Sequence, residues 1–554
     1  MLLKRLVIIS ALGLLIWHFP SNAAGANRTA ASKENSRRSA RILLIPLDDR
    51  PPCLQFPQMI GLIGDTEVVT PPREMLGRFV KPGRPEEITE WVRRQDLRSF
   101  DAVIVSIDMM AYGGLVNSRV HQTPLERAKQ RLRLIDWLHH AAPRLPIYGF
   151  NTIMRLAPTG DGVNERYRDA LARWAEIAPE AATDVKFSEE KRRLEQKIPV
   201  AALEDYKRAR ERNFAINRES VELVRRGVLD YLILCQDDAK PHGVHIADRQ
   251  RLKSEAKGLG LESRIAVQPG ADEVAMLLLA RVLNHRYRYQ PRVAAVYSSD
   301  AVRKSVAPFE DRPLNETVSF QIAATGTREV RDPDSADILF YVYGSRAEKG
   351  AAAQFAEKIE VAVKQGRRVI VADIDFKGDV QGADPAFTQE LLARKIFPRL
   401  AGYASWNTAG NTIGTALPHG LVYSVARDRL SLRSVQLGRA QQKFLLHRLI
   451  DDYAYHALVR PAAVEFAKEK QLNPNRLEGD AESLVEASIR DRMRPHVESI
   501  WKEFAVGNAE IKRASGRRSD VVSVAFTDFT FSLPWGRTFE AEINFNLKAL
   551  STQR

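Results

Sequence analysis

The chain has 554 residues, of which 44% are apolar and 27% charged. That balance excludes a disordered or fibrous chain and gives a globular protein with a sizeable core, long enough for about three or four units of ordinary domain size. The formal net charge of +14 is spread rather than concentrated, with Lys and Arg set beside Glu and Asp in stretches such as KRRLEQK (191–197) and DYKRARERN (205–213). Such stretches read as solvated helix faces, and with no basic run interleaved with aromatics the composition argues against a nucleic-acid partner.

The first residues have the order of a secretory signal. Lys4 and Arg5 precede an apolar segment from Leu6 to Phe19, and small residues follow at Ser21, Ala23, Ala24 and Ala26. The apolar run is short for a membrane span. Residues 1–26 are therefore expected to be a signal peptide, with an uncleaved anchor as the alternative, and the mature protein to be periplasmic or secreted, with no stable membrane insertion once the signal is cleaved. Residues 27–40 are small and polar and read as a disordered linker. Only Cys53 and Cys235 are present. One bridge between strand ends and two buried free thiols are both open.

Order is expected from Arg41. Ile42 to Ile45 is an apolar run that ends in Pro46, Asp48, Asp49 and Arg50, as a strand covered on both faces would. A short candidate strand at Glu67 to Thr70 and a helix near Pro85 to Arg94 come next. Asp101 to Ile107 is a second such run, followed by Asp108 and then by Gly113 and Gly114, which suit either close approach of a ligand or a tight turn. A helix from Pro124 to His140 opens with Thr123 and Glu126 in capping-box spacing. Leu145 to Phe150 is a third strand, tipped by Asn151, Thr152 and Arg155.

Asn164 to Arg226 is long, charged and helical in period, and reads as two or three inserted helices, the last beginning at Pro199. On that helix Arg212, Asn213 and Asn217 stand out, since Asn is a poor interior helix residue and positions 213 and 217 share a face. They suit a ligand-facing role or a polar surface. Further strands are Asp230 to Cys235, ending in Gln236, Asp237 and Asp238; Arg264 to Gln268, ending in Gly270, Asp272 and Glu273; Arg292 to Tyr297; Asp337 to Tyr343; Arg367 to Ile374; and Gly402 to Trp406, ending in Asn407 and Asn411.

Strands alternating with amphipathic helices give an α/β fold built from parallel β/α units. Two arrangements compete: two adjoining α/β domains, or a TIM-barrel-like closure with one extra strand. The change of strand spacing at NHRYRYQPR (284–292) favours the first. The expected division is a first α/β domain at 41–289 with the helical insertion at 164–226, a second at 290–424, and a helical region at 425–554 that closes with short antiparallel strands at Val521 to Phe526 and Glu540 to Asn546.

Five ordered motifs, PLDDRP (46–51), QDD (236–238), GADE (270–273), WNTAGNTIG (406–414) and LPWGRTFE (533–540), carry a resemblance to a family of bacterial exported proteins of unknown function. It covers nearly all of the mature chain and implies that 41 to about 546 is one evolutionary unit. It implies no activity.

The chemistry must come from the strand ends. Asp48, Asp49, Asp108, Asp237, Asp238, Asp272 and Glu273 all follow strands and would converge on one rim, where mutual repulsion raises carboxyl pKa values or calls for a cation. The reading this favours is an exported hydrolase of glycosidic bonds in an N-acetylated sugar, with no cofactor. Its catalytic candidates are Asp237, Asp238, Asp272 and Glu273. Asp237-Asp238 resembles the Asp-Asp pair of substrate-assisted N-acetylhexosaminidases, and Trp406-Asn407 resembles their stacking and hydrogen-bonding elements. Asp48, Asp49, Arg50, Asp108, Asn151, Arg155, Asn213, Trp406, Asn407 and Asn411 are the candidates for binding a small-molecule or glycan substrate. One alternative is a hydrolase using a divalent metal held by Asp237, Asp238, His242, His245 and Asp248. Another is a non-catalytic sugar- or envelope-binding protein. No phosphate loop, dinucleotide fingerprint or serine nucleophile elbow is present.

Overall fold

A parallel sheet covered by crossover helices on both faces needs strands that are apolar at nearly every position. In the computed structural model, which describes residues 39–378, 381–430, 435–514 and 524–549, the opening run forms β1 (Ala40–Ile45), buried everywhere except at Arg41. The expected signal peptide and the linker through residue 38 lie outside the described residues; Ala40 is already paired with Thr66 of the next strand. β2 (Thr66–Val69), β3 (Ala102–Ser106), β4 (Ile147–Ile153), β5 (Tyr231–Gln236) and β6 (Ile265–Pro269) complete a parallel sheet in the order β2-β1-β3-β4-β5-β6. The chain leaves β1 for β2 on one side and returns to β3 on the other. That reversal leaves a crevice at the carboxyl end of β1.

A second parallel sheet contains β7 (Arg292–Tyr297), the two-residue β8 (Arg328–Glu329), β9 (Ile338–Tyr343), β10 (Arg368–Asp373) and β11 (Gly402–Ala404), in the order β11-β10-β9-β7-β8. Neither sheet closes on itself or on the other, so the barrel alternative is incorrect and the two α/β units stand. The physical reason lies between β6 and β7. The helix Val274–Arg286 is apolar around its circumference and buried from Val274 through Ala280, which makes it a core helix rather than a barrel's outer one. It packs against the helices Gln55–Ile63 and Ala409–Arg429, in a core shared with Ile42 and Leu44 of β1, Phe340 of β9 and Ile370 of β10.

The insertion contains three helices, Glu165–Ile177, Val185–Glu195 and Val200–Arg225, around a small core of Leu171, Trp174 and Tyr206. After the second sheet come Val435–Arg448, a π-helical stretch Leu449–Val459, then Arg460–Glu469 and Asp480–Ala514. The closing strands β12 (Val524–Ser532) and β13 (Glu542–Ala549) pair antiparallel; residues 521–523 of the expected strand lie outside the described residues.

Local readings differ in three places. Thr123 caps nothing: the helix runs Leu125–Ala141 after Pro124 without a side-chain cap. β4 continues through Asn151 and Thr152, which therefore sit inside the strand rather than beyond its tip. Gly113 and Gly114, with φ of 88° and 128°, are closely approached by backbone, since a Cβ on Gly77 would stand 2.1 Å from the Gly113 carbonyl oxygen. Both cysteines are free and buried. Among the described residues no helix is long and apolar enough to cross a membrane.

Candidate active site

Strands that end together deliver their polar tips to one place. A cavity of about 370 Å³ lies where the carboxyl ends of both sheets meet the segment joining β12 to β13. Arg50 comes from the loop after β1, Asp237 and Asp238 from β5, Gly270 to Asp272 from β6, Asn407 and Asn411 from the region after β11. The segment between β3 and β4 adds Arg119, the chain after β4 adds Arg155, Thr159, Gly160 and Gly162, the first helix of the insertion adds Glu165 and Arg168, and the joining segment adds Trp535, Arg537 and Phe539. Five residues of this wall, Asp238, Phe309, Gln381, Asn407 and Trp535, hold positive φ, out of ten such non-glycine residues among those described. Strained backbone collects at functional sites because only a surrounding structure built for a purpose keeps it there.

Arg50 ties the floor together. Its Nη2 donates to Asp48 Oδ2 and to Asp272 Oδ1, each at 2.7 Å, and its Nη1 donates to Asp272 Oδ2 at 3.0 Å and to Glu540 Oε1 at 3.2 Å. One guanidinium thus joins the ends of β1 and β6 to the closing hairpin. The Trp535 ring packs against it, 4.5 Å from centroid to guanidinium carbon, and the indole N–H donates to Asp49 Oδ1 at 2.5 Å. Burial pushes the Asp272 carboxyl up to about 6 against the pull of Arg50, and the Asp48 charge adds to it.

The Asp pair of β5 faces two arginines. Asp237 Oδ2 accepts from Arg119 Nη2 at 2.6 Å and from Nε at 3.0 Å, while Asp238 is bonded to Arg155 Nη1. Arg119 is itself positioned from beneath, because Arg212 Nη2 and Asn213 Nδ2 donate to the Ser118 carbonyl at 2.6 and 2.7 Å. Glu310, also in the cavity wall, accepts from the Gly410 N–H at 2.9 Å through Oε1. Its buried Oε2 has no partner. Burial pushes the Glu310 carboxyl up to about 7, and the Asp238 charge adds to that rise. The cavity wall therefore holds a carboxyl that burial raises to about 7 and two Asp side chains each bonded to an arginine.

A family profile described as "Protein of unknown function (DUF4127)" matches residues 42–544. The chain belongs to that family. Comparison with curated proteins gives no match. The matched span runs from within β1 to within β13, so every wall of the cavity lies inside the DUF4127 region.

Of the candidates read from this DUF4127 sequence, Asp237, Asp238, Asp272, Arg50, Arg155, Asn407 and Asn411 line the cavity. The others lie beneath it or apart from it. Glu273 is fully buried, its Oε2 accepting from Asn411 Nδ2 at 2.8 Å and from the Ala271 N–H at 3.1 Å, and burial pushes it up to about 8. Asp48 and Asp49 are taken up by Arg50 and Trp535. Asp108, buried in the short helix Ile107–Tyr112 after β3, accepts from Thr152 Oγ1 at 2.6 Å and from Asn151 Nδ2 at 3.1 Å, both on β4. Asn151 is bonded in turn to Asn217 at 2.7 Å, so the Asn face of the long helix turns inward, neither to ligand nor to solvent. Trp406 is no stacking platform for this cavity: its indole N–H donates to Thr415 Oγ1 at 2.9 Å and its ring meets Phe56 edge to face at 5.9 Å.

The proposed metal set does not converge. His242 is exposed beside Glu180, His245 is buried against the Lys240 carbonyl at 3.0 Å, and Asp248 pairs with Arg210 at 2.9 Å. Among the described residues Asp48, Cys53 and Asp272 have ligand atoms within 4.8 Å of one another, but Arg50 already bonds both carboxylates, and a guanidinium and a cation compete for the same oxygens. Glu310, Arg119, Arg168, Trp535 and Arg537 were not foreseen. Glu310 comes from an irregular loop with no strand before it, whereas Trp535 and Arg537 stood in the LPWGRTFE motif, whose unusual density of Trp, Gly, Arg and Phe was the available signal.

Proposed function

We propose that this DUF4127 chain is an exported hydrolase that cleaves the glycosidic bond of an N-acetylated sugar in this cavity, without a cofactor. What carries the reading is Glu310, a carboxyl raised to about 7 with one oxygen free of partners, in the same cavity as the Asp237-Asp238 pair. Glycoside cleavage needs a group that is an acid in one step and a base in the next, and a carboxyl near neutrality performs both. Glu310 protonates the leaving oxygen as the bond to the anomeric carbon breaks. The substrate's acetamido oxygen attacks that carbon from the opposite face, oriented by Asp238, while Asp237, held by Arg119, fixes the position of its neighbour. Water then displaces the acetamido oxygen from the anomeric carbon, the bond between them breaking as the new C–O bond forms, and gives up a proton to Glu310. Asp272, tied on both oxygens by Arg50, positions the floor and takes no proton in turnover.

A panel of aryl glycosides of N-acetylglucosamine, N-acetylgalactosamine, glucose and galactose, assayed with and without chelator, tests the reading. Release from the N-acetylated members alone, unchanged by chelator, is expected. Loss of activity with chelator favours metal-dependent hydrolysis, and binding without any release favours a sugar-binding protein.

A further inference from the structure

The charges of the cavity wall do not cancel evenly. Of its five arginines, Arg50 and Arg119 have every nitrogen bonded within the protein, Arg50 to Asp48, Asp272 and Glu540, and Arg119 to Asp237 and Thr159. Arg155 is likewise consumed, by Asp238 and the carbonyls of Ala157 and Pro158. The remaining two are different. Arg537 binds Glu540 through Nη2 alone, at 2.6 and 2.8 Å, and its buried Nε has no partner. Its guanidinium is held between rings, 4.7 Å from Trp535, 5.0 Å from Phe79 and 5.5 Å from Phe539, so the donors are fixed before any ligand arrives. Arg168 gives Nε to the Pro158 carbonyl at 3.1 Å, and its nearest carboxylate oxygen, on solvent-exposed Asp169, stands at 3.5 Å.

With Nη2 on Glu540 and Nε shut away in the protein, Arg537 offers a ligand its Nη1, and Arg168 offers its Nη nitrogens; two cationic donors left to one cavity, one of them fixed on aromatic faces, match an anion rather than a neutral hydroxyl. We infer that the cavity selects a substrate bearing an acidic substituent, a carboxylate or a phosphate on the sugar or its aglycone, bound by Arg537 with Arg168 closing on it from the insertion. The inference rests on the cavity being the substrate site and deepens that reading by naming the charge its substrate carries.

Isothermal titration of the full mature chain tests it with two matched pairs: glucose against glucuronate, and N-acetylglucosamine against its 6-phosphate. Binding at least tenfold tighter for an acidic member than for its neutral parent is expected. A preference confined to glucuronate assigns a carboxylate, and one confined to the phosphate assigns a phosphate. Arg537→Met should erase the preference, lowering the affinity for the acidic member about tenfold more than that for its neutral parent. Arg537→Lys, which keeps the charge but loses the guanidinium fixed on the rings, should keep only part of it, and Arg168→Met should lower it by a smaller factor. Circular dichroism confirms that each variant is folded; if Arg537→Met is not, the Lys and Arg168 variants decide. Acidic and neutral members that bind alike, binding by none of the four, or a preference that survives in the folded Arg537 and Arg168 variants overturns the inference. Because binding is read without turnover, an absence of hydrolysis refutes the glycosidase reading and leaves this result untouched.

Discussion

Replacing Arg50 with Met should do more damage than removing any other single charge of the cavity floor. Asp48, Asp272 and Glu540 are all at most 7% exposed and share this one guanidinium. Taking away one partner of a buried pair costs about 3–5 kcal/mol because the other charge is left unsolvated. Here two carboxylates, Asp48 and Asp272, lose their guanidinium while Glu540 keeps Arg537, so a loss of about 4–5 kcal/mol or more at pH 8 is expected, a large part of the roughly 5–15 kcal/mol that a folded domain possesses. The cost has a pH signature. Without the cation that opposes its burial, Asp272 binds its proton still more tightly in the folded state than in the unfolded one, so the deficit shrinks as pH falls toward 5. Urea denaturation of wild type and variant at pH 8 and pH 5 measures both effects. Arg50→Lys should recover only part of the loss, since an ammonium cannot serve both oxygens of Asp272 together with Asp48. A variant within 1 kcal/mol of wild type at pH 8 would refute the assignment of Arg50 as the tie between the sheets and the closing hairpin.

Other expectations follow from the same wall. Glu273, raised to about 8 by burial from an ordinary value of 4.5, carries a proton in the folded state that the unfolded chain has already released. Its stabilising contribution is complete below about pH 4.5 and is lost as pH rises through about 8, at up to about 1.4 kcal/mol per pH unit. Glu273→Gln lacks this slope, so denaturation curves from pH 5 to 8 should show the variant gaining on wild type; parallel curves would contradict it. Gly414→Ala should lower the thermal midpoint, because the new Cβ falls 2.1 Å from Glu273 Cγ and 2.9 Å from Gln321 Oε1, and overpacking of about 1–3 kcal/mol exceeds the helix propensity gained. A raised midpoint would show that this wall yields.

Much of the fold could be read from the chain because parallel strands buried on both faces write themselves as apolar runs, and Ile42–Ile45 and Tyr231–Cys235 end where the carboxyl edge begins. The exact occupants of that edge were less legible. Asp272 and Glu273 stand in the turn between β6 and the helix Val274–Arg286, where no strand alternation applies: Asp272 turns to Arg50 while Glu273, one residue later, goes into the core against Gly414. Sequence names both and ranks neither. Trp406 offered an apolar face that the core claimed through Phe56 and Thr415. Glu310 has no periodic signal because its loop is ordered by the Gly410 N–H of a helix about a hundred residues away. Long-range closure of this kind, like the docking of Trp535 on Arg50 across the length of the chain, leaves no local pattern.

The central claim is that Glu310 passes a proton to the leaving oxygen of a glycoside. Its most direct test is kcat for wild type and Glu310→Gln on the best aryl glycoside of the panel, measured from pH 6 to 9. With the acid near 7, wild-type kcat should fall as pH rises through that value, and the Gln variant, folded and binding as before, should lose about a hundredfold or more together with that limb of the profile. Full turnover by the variant, or no turnover of any glycoside by wild type, would contradict the account.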